Sequence, residues 1–176
     1  SNNQSAKEPT KAISNNAPAA SSPKAIENLR IAAFSNLRMV LPILVSDFNH
    51  NYPNIKIQIT FEPNAALYDT VNANPQSFDI YLAGNQTYPK QMLASVKGAK
   101  AVPFTYTRGQ LVLYSHKYPM DISPTTTLDQ LMLDNKSFSL AIANPKSLAY
   151  GMAAEAWLVN QNLYNNIKPK IVYTNT

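Results

Sequence analysis

The chain has 176 residues, 45% of them hydrophobic, enough for one ordinary domain or two small lobes. Only 14% are charged, and the net charge of +5 comes without a dense Lys/Arg block interleaved with aromatics, which argues against nucleic-acid binding. The absence of cysteine excludes disulfides, thiolate metal sites and a cysteine nucleophile, and no apolar run approaches the ~18 residues needed to cross a bilayer.

Residues 1–25 are rich in Ser, Asn, Ala, Pro and Lys, with Ile13 as the single large aliphatic and no aromatic. Such a segment cannot bury enough surface to offset its ordering entropy. Residues 1–27 are therefore expected to be a flexible polar leader of the kind that spaces a secreted domain from a membrane anchor. Four positive charges, Lys7, Lys11, Lys24 and Arg30, lie in or beside it.

Leu29–Phe34 (LRIAAF) is an apolar run suited to a buried parallel strand. Beyond Ser35-Asn36, the residues Leu37, Leu41, Leu44, Val45 and Phe48 fall on one helix face, and Pro42 within that pattern predicts a kink. Ile55–Phe61 (IKIQITF) alternates as a strand does. Pro63-Asn64 opens a second helix to about Asn72, and Phe78–Ala83 reads as a third strand. This β-α-β-α-β rhythm predicts an α/β fold with a parallel sheet and right-handed crossovers. A short helix over Tyr88–Val96 comes next, then strands over Lys100–Tyr106 and Gln110–Ser115, with Arg108-Gly109 turning between them. Thr127–Leu133 reads as a helix capped by Thr126 or Thr127, Ser137–Ala143 as a strand, Tyr150–Asn162 as a helix and Lys170–Tyr173 as a last strand. A final strand with no covering helix after it leads to the expectation that the chain is incomplete relative to its fold.

Three strand-to-helix junctions share a chemistry: Phe34-Ser35-Asn36, Pro63-Asn64-Ala65 and Ala149-Tyr150-Gly151. In a parallel α/β sheet such junctions gather at the carboxyl ends of the strands, where ligands bind. Each helix N-terminus offers unpaired N–H groups and about half a positive charge. Ser, Asn and Tyr add neutral donors, so a small anion fits without a Lys or Arg counter-ion. A protonated oxyanion must point a hydrogen at a donor and leave that donor unpaired, at roughly 1–3 kcal/mol. Each junction taken alone is equally an ordinary capped helix start.

At these junctions the sequence resembles the periplasmic molybdate-binding proteins. ANPKSLAYGMAAEAW (143–157) is similar to that family's Asn/Asp-Pro, small-residue turn, Tyr or Ala, Gly and Ala-rich helix, and is the specific part of the match. IAAFSNL (31–37), FEPNAALYDTV (61–71), SFDIYLAGNQTYPKQM (77–92), PFTYTRGQLVLYS (103–115) and IKPKIVY (167–173) also fit the family, so the resemblance runs in continuous order from about Leu29 to Thr176. The resemblance implies a two-lobed periplasmic solute-binding protein fold (type II), with residues 28–83 in lobe 1, 84–172 in lobe 2, and 173–176 starting a crossover back to a first lobe left incomplete at the C-terminus. It implies capture of molybdate or tungstate for an ABC transporter permease, in the periplasm or secreted and tethered through the leader, without cofactor or catalysis. By position, Asn36 with Ser35 beside it takes the first ligand place, Asn64 the second and Tyr150 the third. Asn64 stands where the family usually has Ser, and a fourth, backbone ligand falls at or past Thr176. Oligomerisation or segment exchange follows as an expectation for an incomplete lobe. The alternative is a ligand-sensing or interaction module on the same fold with an incomplete oxyanion site.

Other chemistries find little support. His50 and His116 follow a helix and a strand with no clustered carboxylates, and read as surface or hinge residues. No GxSxG, Walker A or GxGxxG motif occurs. Asp79 reads as a structural acceptor, and Trp157 and Tyr164 as packing residues. Arg108, before Gly109, is the anion clamp to consider if neutral donors do not suffice.

Overall fold

The computed structural model describes residues 22–95, 101–120 and 123–175, so most of the expected leader lies outside the described residues. In chain order the first elements are β1 (Glu27–Phe34), a 3₁₀ turn (Ser35–Leu37), α1 (Leu41–Asn51), β2 (Ile55–Glu62), α2 (Asn64–Ala73), β3 (Ile80–Leu82) and α3 (Thr87–Ser95). Then come α4 (Pro124–Leu133), β4 (Leu140–Ala143), α5 (Ala149–Asn160), α6 (Tyr164–Ile167) and β5 (Ile171–Thr174).

The first sheet is parallel in the order β2-β1-β3, with Phe34 opposite Glu62 and Ile31 opposite Ile80. The apolar run of β1 supplies the buried centre: Ile31, Ala32, Ala33 and Phe34 are all buried. β2 alternates half-buried and exposed residues along most of its length, the pattern of an edge strand covered on one face. Leu67 and Val71, one helical turn apart on α2, close over Ala32 and Phe34, and Met92 of α3 packs against the same cluster. Burying a Leu completely, as at Leu67, contributes about 1.5–3 kcal/mol.

The second sheet pairs β4 and β5 in parallel, with Ile142 opposite Tyr173. Its core joins Leu128 of α4 to Leu158, Leu163 and Ile167, and Trp157 and Tyr164 pack against it as expected. Both α4 and α5 stop on an asparagine in the left-handed region, Asn135 (φ 50°) and Asn162 (φ 57°). The next residue's N–H reaches back to close each end: Lys136 to the Leu131 carbonyl at 3.0 Å, and Leu163 to the Leu158 carbonyl at 2.9 Å.

The structure departs from the sequence reading in four places. Pro42 lies in the first turn of α1, where its missing N–H costs nothing, so it starts the helix instead of kinking it, and Leu37 belongs to the preceding 3₁₀ turn. No residue of α1 is buried, so its apolar face is not a core face. Residues 101–115 form no strand; Val102, Phe104, Val112 and Tyr114 are exposed, and a lone hairpin without a covering sheet is marginal in water. The cap of α4 is Ser123 and not Thr126 or Thr127, because Ser followed by Pro124 at the first helical position is the stronger start signal.

Candidate functional site

The helices at the second and third junctions begin without a side-chain cap. The residues before α2 and α5 are Pro63 and Leu148, neither of which carries a side-chain acceptor. α4 shows the ordinary arrangement instead, with Ser123 Oγ accepting from the Thr126 N–H at 3.2 Å. Uncapped termini leave their first N–H groups to other acceptors. At α2 one has been found within the chain: the Ala65 N–H donates to the Ser147 carbonyl at 3.1 Å. The turn that delivers this carbonyl is built on Asn144, whose own carbonyl accepts from the Leu148 N–H at 2.9 Å and whose side chain accepts from the Lys146 N–H at 3.0 Å. The first junction differs, since Ser35 and Asn36 sit in a 3₁₀ turn and α1 starts only at Leu41.

The three junctions converge on Gly84, just past β3. Its N–H donates to Asn64 Oδ1 at 2.7 Å. A β-carbon built on Gly84 would lie 2.6 Å from Ala149 Cβ and 2.8 Å from Phe34 Cδ2, so only glycine lets the second junction meet the first and third this closely. Asn64 is 1% exposed, and its Nδ2 has no partner within the protein. An unpaired buried donor costs about 1–3 kcal/mol.

Beside this meeting point opens a cleft of about 1090 Å³, lined by Asn36, Gly84, Asn85, Tyr106, Arg108 and Tyr150 among others. Tyr106 Oη donates to the Ala83 carbonyl at 3.0 Å, and burial, with Tyr150 nearby, pushes its phenol above the usual range, so it stays a neutral donor. The Tyr150 ring lies against Gly109, where a β-carbon would collide with its hydroxyl. Asp79, also on the lining, accepts from the Arg30 N–H at 2.8 Å, from Nε at 3.2 Å and from Nη2 at 3.1 Å. The side-chain bonds from Arg30, then its backbone N–H, hold the Asp79 carboxyl below the usual carboxylate range. Asp79 is thus the structural acceptor expected, and Arg30 is engaged on the sheet instead of serving the leader's charge.

Of the expected site residues, Asn36 and Tyr150 line the cleft, Asn64 bonds to its wall through Gly84, and the half-buried Ser35 is not among the lining residues. Arg108, weighed as an anion clamp, does line it. His50 faces away from this chemistry, its Nδ1 bonded at 2.8 Å to the Ser46 carbonyl on its own helix. Sequence reasoning missed Gly84, Tyr106 and the Ser147 carbonyl. Gly84 ends the strand signal as any glycine would, and its contacts lie 20 to 65 residues away in the chain, beyond any local pattern.

Comparison with known proteins gives a consistent set of relatives. The model of the bacterial extracellular solute-binding protein family matches residues 29–176. The molybdate-binding protein ModA of Azotobacter vinelandii is 30% identical over 146 residues, 82% of this chain and 55% of that protein. ModA of Rhodobacter capsulatus is 27% identical over 117 residues, 66% of this chain and 44% of that protein. The chain thus spans about half the length of these relatives. The solved periplasmic molybdate-binding protein of Azotobacter vinelandii superposes with a TM-score of 0.66 at 22% identity, over 84% of this chain and 62% of that one, a likeness of fold.

Proposed function

The chain belongs to the bacterial extracellular solute-binding protein family, and we propose that it is the periplasmic binding component of an ABC importer that captures molybdate or tungstate without chemical change. The buried Asn64 Nδ2, unpartnered at the uncapped start of α2 beside the point where three junctions meet, carries this reading. A protein keeps such a donor unpaired where an external acceptor completes it. The names of the ModA relatives supply the ligand class. In this reading Asn36, Asn64 and Tyr150 donate to the anion, and Ser35 supports Asn36. Lobe 1 spans 28–83 and lobe 2 spans 84–172, with 173–176 starting the crossover back to lobe 1, and the leader over 1–27 tethers the domain to the membrane.

Titration calorimetry with molybdate, tungstate and sulfate tests the proposal. Submicromolar molybdate binding with little response to sulfate is expected, weakened at least tenfold by Tyr150→Phe. Absence of heat from both molybdate and tungstate overturns it. One observation favours the second reading, an interaction or sensing module with an incomplete site: the Ala65 N–H is already taken by Ser147. That reading predicts no oxyanion binding in a well-folded chain. Arg108 enters as a variant, since binding by neutral donors alone predicts that Arg108→Gln keeps affinity within threefold and changes chiefly its salt dependence.

A further inference from the structure

We propose that the face of the molecule around Tyr118 and Phe138 docks on an anionic phospholipid surface, through Lys117, Lys136, Lys168 and Lys170 and the exposed side chains of Tyr114 and Leu133. None of these residues lines the cleft, and the inference stands whether or not the cleft holds an oxyanion.

The charge of the chain is unevenly placed. Residues 84–176 hold nine Lys and Arg against four Asp and Glu, whereas residues 1–83 hold six of each, so the whole surplus of +5 belongs to the second part. Contacts through aromatic rings and main chain gather four of those charges. Lys117 Nζ stands 5.2 Å from the centre of the Tyr118 ring, and the Tyr118 hydroxyl donates to the Ser137 carbonyl at 3.1 Å. Lys170 Nζ lies 4.7 Å from the ring of Phe138, the next residue, and donates to the Lys136 carbonyl at 3.3 Å. Lys168 stands 5.7 Å from the ring of Tyr164, which packs against the same core as Phe138. A ring face attracts an ammonium without neutralising it, and supports the apolar stem of the side chain. Among the described residues the one ion pair is that of Arg30 with Asp79, on the first sheet. Asp134, two residues before Lys136, has its Oδ1 bonded by Gln130 Nε2 at 2.9 Å. Glu155 and Lys168 both act on the Tyr173 hydroxyl, so Lys168 is the most compensated of the four.

Apolar groups stand out among these charges. Tyr114 and Leu133 are each 79% exposed. A hollow of about 260 Å³ is lined by Leu113, Tyr114, Lys117, Tyr118, Leu131 and Phe138 among others, so one of the lysines borders an apolar recess. Lysines around protruding tyrosine and leucine match the layered chemistry of a bilayer surface, with phosphates above and the start of the acyl region below. An acidic protein surface presents carboxylates at fixed places, which the planar fork of arginine grips best. This face gathers its charge from lysines on flexible stems, suited to phosphates that move in the plane of a membrane.

Co-sedimentation of the whole chain with phosphatidylcholine vesicles, with and without phosphatidylglycerol, tests the proposal. Partitioning is expected with phosphatidylglycerol alone and should be lost in high salt, as the screening length shrinks. Each lysine near an anionic surface is worth about fivefold in partitioning. Lys117→Gln with Lys136→Gln, two exposed positions, should therefore weaken it at least tenfold. Lys24→Gln with Lys56→Gln removes the same charge elsewhere and should weaken it less than threefold. Equal losses in the two pairs would assign the binding to overall charge and overturn the inference. Spin-labelled phosphatidylglycerol gives a reading that needs no variant: it should broaden the NMR signals of Tyr114 and Leu133 and spare those of β2, and uniform broadening would contradict the proposed face. Binding to poly-glutamate without binding to the vesicles would give the face to an acidic protein and overturn the lipid assignment.

Discussion

Asp79 and Arg30 show how a charged pair at the rim of the cleft is made structural. Arg30 lies on β1 and Asp79 immediately before β3; a backbone bond runs from the Asp79 N–H to the Arg30 carbonyl at 2.8 Å, and the carboxylate–guanidinium contact adds to it at 3.1 Å. The Asp79 carboxyl is lowered in the folded chain, so its contribution to stability is fully present above the ordinary carboxylate value, near ~4, and is lost as pH falls through the lowered one. We expect the midpoint of thermal unfolding to fall more steeply between pH 4 and pH 2 (about that window) in the original chain than in Asp79→Asn; parallel curves would remove the pair from the acid response. At this scale the sequence was legible where a residue acts through its own type. Asp79 as an acceptor and Trp157 as packing could be read from the chain. Gly84 could not, because its importance lies in what surrounds it and not in what it carries.

Among the elements, the strands of the first sheet and the helix α2 announced themselves through apolar runs and period, since burial on a parallel sheet demands both. Residues 101–115 carried an equally clear strand pattern and form none. Alternation records only what a segment can bury; whether a strand forms depends on a partner strand that local sequence does not specify. The helix ends were harder to place for a related reason, as Ser123, Thr126 and Thr127 are all competent caps and the proline after Ser123 decides among them. The far ends of α4 and α5 rest on Asn135 and Asn162, in a left-handed backbone that Asn tolerates because its short polar side chain can bond locally, and that strains most other residues with a β-carbon. Asn162→Ala should therefore cost about 1 kcal/mol, and Asn162→Gly should cost nothing or stabilise slightly. Urea titration with an unchanged m-value checks this, and equal stability of the Ala and Gly variants would contradict it.

For the molecule as a whole, the uncovered apolar surface of α1 is the feature that stands out. Val40, Leu44 and Phe48 repeat every fourth residue and so form one stripe, with Leu44 57% exposed. A stripe of this kind is satisfied by another surface, whether from the same chain or a second copy. We expect light scattering to show self-association that rises with concentration, and Leu44→Glu to reduce it without lowering the unfolding temperature, since the side chain is solvated in the isolated chain. A strictly monodisperse monomer at high concentration would refute this.

The bond from the Ala65 N–H to the Ser147 carbonyl joins the start of α2 to the turn that leads into α5. That carbonyl and an incoming anion are alternative acceptors for the same proton. The carbonyl is a tethered competitor, present at an effective concentration set by the fold and not by the solution. If the proposed oxyanion takes this N–H, it must first evict the carbonyl; we therefore expect its affinity to be that of an exchange, and a variant that loosens the Asn144 turn to bind more tightly without adding a contact to the ligand.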